Sequence, residues 1–363
     1  MTTRRSLVKA TLGSAAAIVV STPALAQSQP PVRWRMASSF PRSTDVLWQA
    51  GELFCRRVSE ITDGNFRIIP FAPGEVVGAL QVLDAVSNNN IECGDTASYY
   101  YTGKDEAFAF GSALPFGLNA RQQNAWWYHG GGAELNNDFY KAYNVFSMPI
   151  GNSAAQMGGW FRKEIKSLAD IKGLKFRVGG FAGNVMARIG VVPQQIGAGD
   201  IYSALERGTI DAAEFGGPSD DEKLGFVKVA KYYYAPGFCE GNAMINLFIN
   251  RDRWAELPAK YQNAIEVASA EATLWHLSRI DAFNTSALMR LVAAGAELRQ
   301  FPRDVLEAAY SAAFALYDET AAKNPRFKAI YEPWLAFRKS QYTWFRVNEI
   351  SFDVFNISQL ARS

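Results

Sequence analysis

Histidine is almost absent: His129 in "WWYHGGG" and His276 are the two in 363 residues. Neither has a second His or a Cys close by to share a metal, so both are read as structural histidines. Cysteine is nearly as scarce. Cys55, Cys93 and Cys239 show no CxxC and no metal-ligand spacing, and are read as small core residues with no bridge assigned. Also missing are the GxSxG elbow, the HExxH pair and the Walker loop. "RVGGFAGNVMARIG" places glycines between a strand and a helix but lacks the GxG through which a pyrophosphate nears a helix start. Its glycines are read instead as room for a small ligand. Carboxylates are plentiful, yet nothing marks out a general acid and base.

Long apolar runs are missing too; no stretch after the start reaches the 20 or so residues that span a bilayer. The first 26 residues, "MTTRRSLVKATLGSAAAIVVSTPALA", have a basic start, a short apolar run over Ala15–Val20 and the ending Ala24-Leu25-Ala26. That is the layout of a secretory leader, and "RRSLVK" resembles a twin-arginine export signal. The leader holds Arg4, Arg5 and Lys9 and no acid, so its removal takes the formal charge from +2 to −1. A near-neutral protein gives no electrostatic reason for nucleic acid or an anionic membrane. The mature chain is expected to be soluble and exported to the periplasm.

What remains is α/β. "VRWRMAS" has the period of a strand, "STDVLWQAGELFCRRVSEITDG" that of a helix capped by Ser43 or Thr44, and "FRIIPFA" reads as a second strand. "GALQVLDAVSNNN" is a helix and "IECGDTAS" a third strand, which implies parallel pairing. A comparable series follows: strands "GWFRKEI" and "GLKFRV", helices "AGNVMARIG" and "DIYSALERGT", strand "IDAAEFGG", then "NAMINLFINRDRW" as one long strand. Two α/β units in sequence suggest two lobes around a cleft, with ligand beyond the carboxyl ends of strands. Residues 259–294 contain neither Gly nor Pro. A helix there would run roughly 54 Å, long enough to brace both lobes. In the aromatic tail, Leu335, Tyr342, Phe345 and Phe352 fit a heptad seam that needs a partner surface, in its own core or on another subunit.

The side chain that stands out is Arg177, ending "GLKFR" where strand meets turn. A guanidinium forks onto a carboxylate. Facing a cleft it needs an anion, either an internal Asp or Glu or the carboxylate of a ligand.

The stretch "GLKFRVGGFAGNVMARIGVVPQQIGAGDIYSALERGTIDAAEFGGP" resembles the central signature of the solute receptors of tripartite ATP-independent periplasmic (TRAP) transporters. "GEVVGALQVLDAVSNNNIECGDTASYYYTGK" and "ALPFGL" resemble their first lobe, and the likeness covers the mature chain. It implies a two-lobed periplasmic-binding-protein fold in which Arg177 binds the substrate carboxylate. Gln156 in "GNSAAQMGGW" and Glu214 in "AAEFGG" resemble the branch for 2-oxo acids and related monocarboxylates. There the matching side chains, with a backbone oxygen at Phe215, hold a cation that bridges to the ligand, sodium or calcium here. Such an acid offers two neighbouring oxygens, a natural chelate for a hard ion. Glu240 in "FCEGN" is either a further cation ligand or part of the hinge; Tyr100, Tyr101 and Asn152 are candidate ligand contacts. Gln156 otherwise ties down backbone, and Glu214 otherwise pairs with Arg177.

The expected divisions are a leader over 1–26, a first lobe over 27–150, a second over 151–240, shared elements over 241–330 and a C-terminal helix over 331–363. The resemblance implies TRAP membrane subunits as partners, a homodimer through the C-terminal helix and no organic cofactor. Rival readings are a receptor for a C4-dicarboxylate or a bulkier carboxylate, a sensor's receptor, and a secreted enzyme acting on 2-oxo acids.

Overall fold

The computed structural model describes residues 30–360, so the expected leader lies outside the described residues. β1 (Val32–Ser38) pairs parallel with both β2 (Phe66–Phe71) and β3 (Cys93–Thr96), as strand–helix–strand units require. β4 (Val145–Asn152) and β10 (Met244–Asn250) join antiparallel, giving a first sheet of order β2-β1-β3-β10-β4. Every residue of β10, MINLFIN, is buried, the mark of a strand covered on both faces.

The second sheet has β5 (Gly159–Phe161), β6 (Lys175–Arg177), β7 (Val192–Gln194), β8 (Ala212–Ala213), β9 (Tyr232–Ala235) and β11 (Glu297–Gln300), in the order β11-β9-β5-β8-β6-β7. Phe161, Phe176 and Tyr234 from its strands, with Phe301 just after β11, belong to a core separate from the larger one that includes the first sheet. The fold is therefore α/β and two-lobed. Residues 153–158 carry the chain from β4 to β5, and 236–243 bring it back from β9 to β10. The two crossings are tied together at Ser153: its N–H donates to Ala243 O at 2.9 Å, and Ala243 N–H donates to its Oγ at 2.8 Å.

The helix Ala259–Ala293 spans 35 residues and touches both sheets' surroundings. Ser269 Oγ donates to Pro149 O of β4. Further along, Asn284 Oδ1 accepts from Ser219 N at 3.1 Å and Arg290 pairs with Glu222 at 2.7 Å. Its bracing role follows from those contacts.

Several elements differ from their sequence reading. "NAMINLFINRDRW" is not one long strand: Asn250 Oδ1 accepts from the N–H groups of Asp252 and Arg253, capping the helix Arg251–Glu256. Thr44 stands at the start of the helix Asp45–Ile61 but does not cap it; its hydroxyl donates to Pro41 O at 2.6 Å. The helix of "GALQVLDAVSNNN" shrinks to Val82–Ser87, and only Ala212–Ala213 of "IDAAEFGG" pairs as strand. In the tail the heptad seam breaks at Asn348. The helix Pro325–Val347 packs inward through Phe327, Trp334 and Phe345, while the helix Glu349–Leu360 buries no residue. Among the described residues no helix is long and apolar enough to cross a membrane.

Candidate functional site between the two sheets

Arg177 ends β6 and Glu214 follows β8, its parallel neighbour, in register Arg177↔Ala213. Adjacent parallel strands ending together put both side chains beyond the same sheet edge, where α/β sheets bind ligands. Both are 1% exposed. Arg177 Nε donates to Ile196 O at 3.1 Å, and Nη1 donates to the main-chain oxygen of Glu214 while lying 3.6 Å from its Oε2. Nη2 is buried without a partner, and so are both carboxylate oxygens of Glu214 as hydrogen-bond acceptors. The internal ion pair is therefore present, and it leaves half of the guanidinium fork unused.

The crossings supply the rest. Gln156, on the first, donates from Nε2 to Ser153 Oγ at 2.9 Å and leaves Oε1 buried and unpartnered. Glu240, on the second, is buried and accepts from the Tyr99 hydroxyl at 3.3 Å. Tyr99, Tyr100, Ser153, Gln156, Phe215 and Asp220 wall one small cavity, closed from the first sheet's side by Phe40, Leu47 and Ile245. The free volume is about 10 Å³, the room of a single water, so the cleft stands shut.

Electrostatics set the character of this place. Burial, then Asp221, push the Glu214 carboxyl up to about 7 against the pull of Arg177. Burial and the nearby Glu214 push Glu240 well above the ordinary carboxylate range. Glu214, Asp220, Asp221 and Glu240 are all at most 2% exposed, and among the described residues Arg177 is the one buried Lys or Arg. A positive charge added here would be held strongly, because burying unpaired carboxylates costs several kcal/mol each. Among the described residues no three His, Cys, Asp or Glu side chains gather into a metal site. Amide, carboxylate and main-chain oxygens at Gln156, Glu214 and Phe215 are nevertheless the hard donors that sodium or calcium takes. The orphaned Gln156 Oε1 and Glu214 oxygens fit such an ion.

Not every candidate side chain reaches this place. The Tyr101 hydroxyl accepts from Leu83 N at 3.2 Å and shares a 2.8 Å bond with Thr96 Oγ1, so it is spent inside the first core. Asn152 is likewise engaged, donating to Asn242 Oδ1 at 3.0 Å and accepting from Ala154 N at 3.0 Å. Tyr100 does wall the cavity. Sequence reasoning missed Tyr99, Phe40, Leu47, Ser153 and Asp220. For Tyr99 the triplet "SYYYTG" was the available signal, and its 3-10 turn decides which ring points where. The "RVGG" glycines make room for Tyr99, not a ligand: a Cβ on Gly180 would lie 2.6 Å from Tyr99 Cβ.

Comparisons with known proteins agree on the kind of molecule. Residues 36–324 match the model of the DctP family, bacterial extracellular solute-binding protein, family 7. The chain is 49% identical over 326 residues to a monocarboxylate 2-oxoacid-binding periplasmic protein of Nostoc sp., covering 90% of this chain and 89% of that one. A TRAP transporter solute binding protein from Bordetella bronchiseptica superposes with a TM-score of 0.90 at 49% identity, covering 92% of this chain and 99% of the other; it is a dimer with copurified calcium and picolinate in one site. A TRAP periplasmic solute binding protein from Pseudoalteromonas atlantica, with bound sodium and pyruvate, gives 0.86 at 35% identity, covering 89% and 98%. One from Colwellia psychrerythraea, with calcium and pyruvate, gives the same figures. This chain belongs to the DctP family of TRAP solute receptors.

Proposed function

We propose that this protein captures a small 2-oxo or 2-hydroxy monocarboxylate together with a sodium or calcium ion between its two sheets, and delivers it to a TRAP membrane transporter. The observation that carries the reading is a set of orphaned buried atoms, Arg177 Nη2 and the Glu214 carboxylate at one sheet edge and Gln156 Oε1 on the crossing from β4 to β5. A buried polar atom without a partner is rare and costly, so a place holding several is built to be completed from outside. The donor suits a carboxylate and the acceptors suit a cation. Pyruvate and picolinate, the acids bound by similar receptors, share a carboxylate next to a second lone-pair donor, which is a chelate.

In this reading Arg177 neutralises the carboxylate, while Gln156 Oε1, Glu214 and the Phe215 carbonyl hold the ion. The ion supplies a positive charge that bridges protein and ligand. Glu240 holds Tyr99 across the cleft, and a cation bound nearby would favour its charged form. Three protein oxygens do not fill the coordination of a hard ion, so the ligand completes the site and the two bind as a unit. The chain is a receptor and not an enzyme. Lobe divisions follow the crossings at 153–158 and 236–243. Replacing Arg177 by Met should abolish binding of pyruvate while the melting temperature stays that of a folded protein; unchanged affinity overturns the assignment.

The homodimer belongs to this reading too. Ile350, Phe352, Val354, Phe355, Ile357 and Leu360 stand exposed on the last helix, Phe352 to 67%. So large an apolar surface on an exported protein calls for a partner, and a second copy of the chain meets that need. The reading places the mature protein in the periplasm, reached through the twin-arginine route.

A further inference from the structure

Asp220 is a wall residue of the cleft for which the anion-and-cation reading has no use. It lies in the short helix Pro218–Leu224, is 1% exposed and has Oδ1 buried without a hydrogen-bond partner. Its neighbour Asp221 shows how this fold treats a structural carboxylate: Oδ2 accepts from Trp160 Nε1 at 3.0 Å and from the Tyr233 hydroxyl at 2.7 Å. Asp220 receives nothing comparable. The helix start favours an acid by about 0.3–1 kcal/mol. That is less than the cost of several kcal/mol for an unpaired buried charge, and an exposed acid would collect the same gain. Burial, then Asp221 and Asp45, disfavour its charged form.

Asp220 shares the wall of one cavity with Gln156 and Phe215, two of the proposed cation ligands. Arg177 does not itself line that cavity; Tyr99, Tyr100 and Ser153 complete its polar wall, and Phe40, Leu47 and Ile245 its apolar one. An acid chelating an ion held by Gln156 and Phe215 would enter this void as it widens, with Asp220 on its wall. A methyl group there would leave Oδ1 orphaned. A hydroxyl would satisfy it, donating to the ionised carboxylate or accepting from the neutral acid.

We propose that Asp220 reads the chain of the bound acid through a hydrogen bond, so that this receptor prefers 2-oxo and 2-hydroxy acids with a hydroxyl on the next carbon over their plain alkyl counterparts. The inference rests on the function proposed above and narrows its substrate class. The test is calorimetric titration of calcium-loaded protein with two pairs, 3-hydroxypyruvate against pyruvate and glycerate against lactate. The wild type should bind the hydroxylated member of each pair about tenfold more tightly, the scale of one net hydrogen bond. Asp220→Leu should bring both ratios to about one, and Asp220→Asn, which keeps an acceptor, should retain most of the preference. A ratio of one in the wild type overturns the inference alone. So does a preference that survives Asp220→Leu in protein that still melts cooperatively. If the leucine variant fails to fold, the wild-type and asparagine ratios decide. Failure of the wild type to bind any of the four acids overturns the underlying function as well.

Discussion

Gln195 bridges the cleft to Tyr100: its Nε2 donates 2.8 Å to the main-chain carbonyl of Tyr100, while its Oε1 accepts from Gly180 N at 2.9 Å. One amide thus clips the turn after β3 in the first sheet to the strand ends of the second. A body the size of pyruvate enters only when the sheets part, and the ligand then selects the shut state by touching both. Bonds that exist only when shut favour binding without touching the ligand. Gln195→Ala removes one such bond, worth about 1 kcal/mol net. Affinity for pyruvate should fall roughly fivefold, read by calorimetry, with the melting temperature of ligand-free protein little changed. An unaltered affinity would show that the bond does not bias closure.

The last helix gives a second expectation. Glu349 accepts an exposed ion pair from Arg121 at 2.6 Å, and none of the apolar side chains on the helix Glu349–Leu360 is buried. Ending the chain after Asn348 should leave a folded monomer by gel filtration, because the core contacts of Trp334 and Phe345 lie before the cut. If the full-length protein is itself a monomer, the dimer is wrong.

A third concerns pH. His276 is fully buried against β4, where a Cβ on Gly151 would stand 2.2 Å from its Nδ1, and neither ring nitrogen has a hydrogen-bond partner. Burial drives its pKa down to about 3 from 6.5. Between those values the unfolded chain binds a proton that the folded chain refuses. Stability from this residue is therefore complete above pH 6.5 and lost as the pH falls toward 3. At pH 5 the loss is about 2 kcal/mol. The raised acids Asp95, Asp220 and Glu214 run the other way, so the readout is the difference between two proteins. From pH 7.5 to 5, His276→Met should gain about 2 kcal/mol relative to wild type in denaturant unfolding. Parallel pH profiles would contradict the assignment.

Much of this was legible in the residues. Period two in "VRWRMAS" and the Gly- and Pro-free run from 259 were enough to place β1 and the bracing helix, because burial on one face dictates spacing. Arg177, Gln156 and Glu214 stood out through their resemblance to a known signature. What the chain did not disclose was set by contacts between distant segments. Whether Tyr99, Tyr100 or Tyr101 faces the cleft depends on the turn they form, and that Gly180 serves Tyr99 depends on the other sheet. Nothing in "PSDDEK" distinguishes its acids, and only the fold shows that Asp220 and Asp221 are both sealed in. The end of β10 was lost for a local reason: Asn250 is compatible with a strand and is also a strong cap.

The central claim is that anion and cation are bound as one unit, since Arg177 completes only the first and Gln156 and Glu214 only the second. It is tested most directly by stripping the protein of metal and titrating pyruvate by calorimetry, first without added ions and then with sodium or calcium. The account predicts no measurable heat of binding in the stripped protein and its recovery with one of the two ions, with Glu214→Gln markedly reducing that recovery. Equal pyruvate affinity with and without the ion would contradict it.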